Sequence, residues 1–174
     1  WLDLCAGPGG KAALLGALAA QRGARLLAHE RQRHRATLVA SAVRAVPSGA
    51  VDVVAGDGMR PAWVPGTFDR AIVDAPCSGL GALRRRPESR WRRTTGDVEV
   101  LVKIQQVLLD VAIDSVRVGG VVVYVTCSPV RAETSAVVEA VLARRGDSDE
   151  IDRSQLWPHR DGTDAMFTSV IRRR

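Results

Sequence analysis

Aromatic side chains are scarce in this sequence: four Trp, two Phe and one Tyr make up 4% of its 174 residues. A core without many large rings must be built from Val, Leu, Ile and Ala. The chain is 46% hydrophobic and 25% charged, the balance of a folded domain rather than a disordered segment. Cysteine is rarer still. Cys5, Cys77 and Cys127 are too few and too scattered for a disulfide framework, and no C-x-x-C or Cys/His cluster marks a structural zinc site. No secretory leader pattern is seen, and no apolar run is long enough to span a bilayer. These absences lead us to expect a reducing, cytoplasmic setting with no membrane partner and no metal. The chain opens without Met, in the strand-like Trp1-Leu2-Asp3-Leu4. It is therefore expected to be a fragment of a longer protein, with residues 1–174 forming one domain.

Lysine is almost absent too. Lys11 and Lys103 are the only two among 25 basic residues, which face 19 acidic ones for a net charge of +6. A surface so dominated by Arg suits polyanions, because the guanidinium fork matches phosphate oxygens. The densest stretch, Arg84-Arg85-Arg86-Pro87-Glu88-Ser89-Arg90-Trp91-Arg92-Arg93, holds six Arg in ten residues. A solvated loop is one reading of such a run. RNA contact through Arg84, Arg85, Arg86, Arg90, Arg92 and Arg93, with Trp91 packing or stacking, is the other. Arg172-Arg173-Arg174 reads as a solvated terminus.

Along the chain, short apolar runs alternate with helical spacing. Leu2–Cys5, Arg25–His29, Val51–Ala55, Ala71–Asp74, Val121–Thr126 and Ala165–Ile171 read as strands. Helices are expected over Lys11–Arg22 with Leu14, Leu15 and Leu18 inward, and over Arg33–Val46 with Leu38, Val39 and Ala42 inward. Two more are expected, over Asp97–Val118 with a Leu101, Ile104, Leu108 and Val111 stripe, and near Arg131–Arg145. Gly119-Gly120 is expected to close the long helix, and residues 146–164 read as loop. Repeated strand–helix units predict an α/β, Rossmann-like, mostly parallel sheet with helices on both faces. Ligands in such sheets bind beyond the carboxyl ends of the strands. Those ends carry Cys5, Glu30, Asp57, Asp74 and Cys127.

The turn Gly7-x-Gly9-x-x-Ala12 lies between a strand and a helix, the context that gives a glycine-rich loop meaning. Glycines admit a cofactor close to the backbone, and the helix amino end offers unpaired N–H groups. Glu30, 21 residues after Gly9, is placed to bond two ribose hydroxyls. A phosphate-binding Walker loop is excluded, since Cys5 stands where its first glycine is required. An NAD site is not excluded by this loop alone, although Pro8 stiffens the turn and nothing downstream suits hydride transfer. Asp57 reads either as an acceptor for an exocyclic amino group or as an Asx-type bend before Gly58.

Asp74-Ala75-Pro76-Cys77-Ser78-Gly79 and Thr126-Cys127-Ser128-Pro129 follow adjacent strands, so both cysteines can converge on one pocket. A thiolate adding to carbon 6 of a cytosine makes carbon 5 nucleophilic and can later leave. An acid such as Asp74 can meet ring nitrogen 3. Residue chemistry alone does not choose between the two cysteines.

Together with Leu2-Asp3-Leu4-Cys5-Ala6-Gly7-Pro8-Gly9-Gly10-Lys11, these two motifs resemble the RNA cytosine-5 methyltransferases of the Nol1/Nop2/Sun family, most of all its bacterial ribosomal-RNA enzymes. The likeness runs from residue 1 to about 145 and resumes at Asp161-Gly162-Thr163-Asp164-Ala165-Met166-Phe167. The resemblance implies S-adenosylmethionine as cofactor, held by Cys5, Ala6, Gly7, Pro8, Gly9, Gly10 and Lys11, with Glu30 at the ribose, Asp57 at the adenine end and Asp74 at the cofactor–base junction. It implies Cys127 as nucleophile, Cys77 as the residue that assists product release, and RNA as partner. Ala12 departs from the family's Thr or Ser. Residues 146–160 are shorter and more acidic than the family's usual segment, which includes a strand, and the family's amino-terminal RNA-gripping region is expected to be absent from this fragment. The rival functions are an NAD-dependent oxidoreductase and a non-catalytic RNA-binding module.

Overall fold

The computed structural model describes residues 1–92 and 94–174. In chain order the elements are β1 (Leu2–Asp3), α1 (Gly10–Gln21), β2 (Leu26–Glu30), α2 (Arg33–Ala42), β3 (Val51–Ala55), β4 (Phe68–Asp74), α3 (Ser89–Arg92) and α4 (Thr95–Ser115). They continue with β5 (Val116–Thr126), α5 (Ser135–Ala143), β6 (Ser148–Gln155), α6 (Pro158–Asp161) and β7 (Phe167–Arg173). The seven strands form one sheet in the order β3-β2-β1-β4-β5-β7-β6. Neighbouring strands from β1 to β5 pair in parallel, and β7 runs antiparallel to both β5 and β6. The chain starts in the middle of the sheet, works outward through β3, then crosses back to β4. That reversal beside β1 opens a crevice at the carboxyl ends of β1 and β4.

Strand alternation divides the buried side chains between two cores. Leu2, Leu4, Val73, Leu109, Ile113, Tyr124, Val138 and Phe167 belong to the larger, which α4 and α5 cover. Ala6, Ala12, Leu26, Ala28 and Val39 form the smaller, beneath α1 and α2. The second is thin because small residues face it. In α1 the buried positions are Ala12, Gly16 and Ala19, while the expected Leu14 is 62% exposed. Gly16 is required there, since a Cβ would lie 2.3 Å from a Val51 methyl. Expected inward positions Leu38 and Ala42 of α2 are likewise exposed, whereas Val39 is buried.

In α4 the core face is Gln105, Leu108, Leu109, Ala112 and Ile113, rotated from the expected stripe. The helix begins earlier than expected because Thr94 and Asp97 form a reciprocal capping box. It also ends at Ser115, before the two glycines. Gly119 (φ +80°) and Gly120 instead shape an irregularity within β5, where the register against β4 shifts between Phe68↔Val116 and Arg70↔Val121.

Residues 146–164 are not simply loop: they contain β6 and the short α6. β6 lacks apolar alternation because it is held by charge. Asp149 lies opposite Arg172 in the register, Arg174 Nε is 3.0 Å from Asp149 Oδ2, and Ser169 Oγ donates to Glu150 Oε1 at 2.6 Å. The three carboxyl-terminal arginines are thus partners of an acidic edge strand. Arg173 Nη1 also donates to the Asp114 and Val116 carbonyls, at 2.9 and 2.8 Å. Among the described residues, no helix is long and apolar enough to cross a membrane.

Candidate active site

A cavity of about 590 Å³ opens at the carboxyl ends of the parallel strands. That volume lies within the usual range for small-molecule clefts. Of the residues singled out above, Cys5, Gly7, Pro8, Glu30, Asp57, Asp74, Cys77, Arg86 and Cys127 line it. Ala6, Gly9 and Gly10 do not, and Lys11 enters only indirectly, with Nζ 2.5 Å from Asp74 Oδ2.

The loop after β1 is built around Glu30. Glu30 Oε2 accepts from Gly7 N at 2.9 Å and Oε1 from Gln32 N at 3.0 Å, while Arg35 Nη2 donates to Gly7 O at 2.6 Å. A Cβ on Gly7 would sit 2.2 Å from Glu30 Oε2, so glycine is needed for the carboxylate to reach the loop. Gly9, at φ +114°, serves a different end: a Cβ there would lie 2.9 Å from Val39 Cα, and its absence lets α1 and α2 approach. Asp57 forms the bend and also faces the cavity. Its Oδ1 accepts from Met59 N at 3.1 Å in an Asx-type turn, and it lines the cavity.

Asp3, which the sequence reading passed over, is 1% exposed on β1. Burial, reinforced by Asp74 and Glu30 against the Cys5 amide and Lys11, pushes its carboxyl up to about 7. Neither of its oxygens makes a hydrogen bond of normal geometry. An orphaned acid behind a glycine cradle fits a site for a polar cofactor bearing a cation and hydroxyls. Glu30 can still accept, since a carboxylate has about four acceptor positions and two are used. We expect Glu30→Ala to weaken cofactor binding by about 1–3 kcal/mol and to lower thermal stability as well, because the Gly7 and Gln32 amides lose their acceptor. Calorimetric titration with S-adenosylhomocysteine and a melting curve check both; unchanged affinity would remove Glu30 from the site.

The two cysteines converge. Cys77 and Cys127 Sγ are 3.4 Å apart, at the tips of β4 and β5. They are electrostatically unequal. The hydrogen bond with Cys77 brings the Cys127 thiol down to about 7, against the effects of burial, Asp74 and Asp164. The same contact, with burial behind it, pushes the Cys77 thiol far up. Burial also raises Cys5 strongly, which makes it a wall residue with little thiolate character.

A third segment closes over the pair. Gly81 N donates to Cys127 O at 3.0 Å, and Ala165 N donates to Gly81 O at 2.9 Å, tying residues 164–166 to both cysteine loops. Asp164, 8% exposed, accepts from Arg85 Nε at 2.9 Å and lies 4.0 Å from Arg84 Nη2. Arg85 is therefore engaged within the protein, whereas Arg86 lines the cavity and Arg84, Arg90 and Arg92 are exposed around it. Trp91 is 78% exposed. Arg93 lies outside the described residues.

A protein of Mycobacterium tuberculosis designated a methyltransferase, Rv1407, is 50% identical over 191 aligned residues, covering 99% of this chain and 40% of the relative. The aligned span exceeds the chain's own length, so the relative carries extra residues within it. Ribosomal RNA small subunit methyltransferase B of Pectobacterium carotovorum is 37% identical over 98% of this chain and 41% of its own length. The chain thus spans about two fifths of these relatives. Among solved structures, NSun6 from Pyrococcus horikoshii superposes with a TM-score of 0.87 at 23% identity, over 99% of this chain and 47% of that one. That likeness places the fold among Rossmann-like methyltransferases. The model of the 16S rRNA methyltransferase RsmB/F family matches residues 1–172. The order of the motifs, the strand order and this match converge: the chain belongs to the 16S rRNA methyltransferase RsmB/F family.

Proposed function

We propose that this chain is the catalytic domain of an enzyme that methylates carbon 5 of a cytosine in ribosomal RNA, through a covalent bond between Cys127 and the base. The observation that carries the proposal is the cysteine pair, 3.4 Å apart on the wall of the cavity. Membership in a methyltransferase family supports S-adenosylmethionine as the cofactor and sets aside the oxidoreductase reading. When bound, it supplies an electrophilic methyl group. Gly7, Glu30 and Asp57 would hold it.

Cys127 thiolate adds to carbon 6 and leaves carbon 5 electron-rich. Asp74, with Lys11 at 2.5 Å, offers a paired acid–base group for the charge that develops at ring nitrogen 3. After carbon 5 has been substituted, a base in the cavity or water takes its proton, the C–H electron pair re-forms the carbon 5–carbon 6 double bond, and the Cys127–carbon 6 bond breaks to return the Cys127 thiolate. Cys77, one hydrogen bond from Cys127, is placed to assist that release. A binding-only module needs neither thiol, so the pair favours an enzyme.

The test is methyl transfer by the full-length protein, read by bisulfite sequencing of 16S ribosomal RNA with and without the gene. Loss of one protected cytosine on deletion is the expected result; an unchanged pattern would sink the proposal. The exposed arginines make a separate, measurable contribution. Neutralising Arg84, Arg90 and Arg92 together should reduce the slope of log K against log salt by about 2, from ~0.7 per phosphate contact on single strands. Cofactor affinity should stay the same. An unaltered slope would make the segment a solvated loop.

A further inference from the structure

Glu133 is completely buried, and no step of the reaction above uses it. Its carboxylate joins the two cysteine loops. Oε1 accepts from Ser78 N at 2.7 Å and from Gln105 Nε2 at 3.2 Å. Oε2 accepts from Ser78 Oγ at 2.5 Å and from Ser128 Oγ at 2.7 Å. Ser78 directly follows Cys77, and Ser128 directly follows Cys127. Gln105 Nε2 also donates to Pro76 O at 2.9 Å, so α4 braces the first loop as well. The backbone of Glu133 is anchored in turn, its carbonyl accepting from Tyr124 Oη at 2.9 Å. Burying a carboxylate costs several kcal/mol unless its hydrogen bonds repay it, and here four donors from three segments converge on two oxygens.

We infer that Glu133 is a positioning residue, which locks the Cys77 and Cys127 loops in register through Ser78 and Ser128 and so holds the two sulfurs within hydrogen-bond distance. The bond from Gly81 N to Cys127 O also ties the two loops, but through the backbone; the clamp adds a hold on the residues next to both sulfurs, which lie 3.4 Å apart. Charge acts in the same direction. The carboxylate is one of the groups that raise the Cys77 thiol, keeping the proton on the donor of the pair. Cys127 is faced by Cys77, Asp74 and Asp164, with Arg85 beyond.

This inference rests on the thiolate role proposed for Cys127, and one experiment separates the two. The rate of Cys127 alkylation by iodoacetamide is followed against pH in the full-length protein, with Cys5 and Cys77 identified by mass spectrometry. The wild type should show a midpoint near neutrality; a midpoint in the ordinary thiol range would overturn the thiolate reading itself. Glu133→Ala should move the midpoint up by at least one pH unit and lower kcat at least tenfold, with KM for RNA unchanged. Glu133→Gln, which can keep Oε1 as an acceptor and donate to the two serine hydroxyls, should restore most of kcat. Should Glu133→Ala fail to fold, the Ser78→Ala/Ser128→Ala double variant removes half of the clamp and should shift the midpoint in the same direction. A wild-type midpoint near neutrality that is unmoved in the folded variants would overturn the positioning role alone.

Discussion

Cys127→Ala is expected to abolish methyl transfer and to form no protein–RNA adduct, whereas Cys77→Ala should attack, methylate and then stall as a covalent adduct. The two sulfurs are within 3.4 Å, yet their protons are held unequally. On the proposed mechanism, removing Cys127 removes the nucleophile, an effect of at least about 10⁴-fold where a covalent route is lost. On the same mechanism, removing Cys77 leaves the nucleophile but takes away its hydrogen-bond partner and the group proposed to assist release. The adduct should require S-adenosylmethionine, survive denaturing electrophoresis and vanish in the double variant. A pH dependence follows with a definite sign. A thiol lowered to about 7 reaches its full thiolate population above neutrality, so the attack step should rise with pH and level off there. In Cys77→Ala the rise should move to higher pH, because the lowering contact is gone. An adduct from Cys127→Ala and none from Cys77→Ala would reverse the two roles.

Gly81→Ala should also be damaging, by a smaller factor, although position 81 carries no reactive group. A Cβ there would lie 2.2 Å from Ala165 O and 2.8 Å from both the carbonyl carbon and oxygen of Cys127. These are backbone atoms in a three-segment junction, so relief requires the Cys127 loop or the 164–166 segment to move. Forced overpacking costs about 1–3 kcal/mol. A shift of about 1 Å in a reacting group can cost on the order of 10²-fold in rate. Melting curves and single-turnover methyl transfer measure the two effects. Gly146→Ala is the control: nothing lies within 4 Å of its Cβ and its φ is ordinary, so both readouts should be unchanged. Wild-type turnover in Gly81→Ala would show that the junction does not hold Cys127.

The alternation of short apolar runs and helical stretches was enough to read a mostly parallel sheet, because strands buried on both faces cannot hide their Val and Leu. The reactive strand ends were legible for the same reason: Cys5, Glu30, Asp57, Asp74, Cys77 and Cys127 all line one cavity. What escaped notice was stabilised by something other than apolar pattern. β6 has Ile151 as its one aliphatic residue and is paired through Asp149 and Glu150 to β7, the next strand, whose end is basic. Leu14 and Leu38 looked inward only because leucine usually is, while close helix packing there uses Ala12, Gly16 and Gly9. Asp3 and Glu133 resemble ordinary acids in one dimension. The signal available for Asp3 was its place between Leu2 and Leu4 in a strand too apolar to tolerate an idle charge. Glu133 gave none, since its partners Ser78 and Gln105 are far away along the chain.

The place of β7 has a consequence for the protein as it is being made. It comes after every other strand, yet it lies inside the sheet between β5 and β6. Both cysteine loops therefore leave the ribosome with the Val-rich flank of β5 still unpaired, and Phe167 follows Cys127 by roughly 40 residues. At about 5–20 residues per second that interval lasts some seconds, long enough for an open apolar edge to meet another nascent chain. Until β7 inserts, Ala165 cannot bond to Gly81 and Asp164 cannot hold Arg85. A nascent chain of this domain thus presents both cysteine loops before the junction that closes over them can form, and that junction waits on β7.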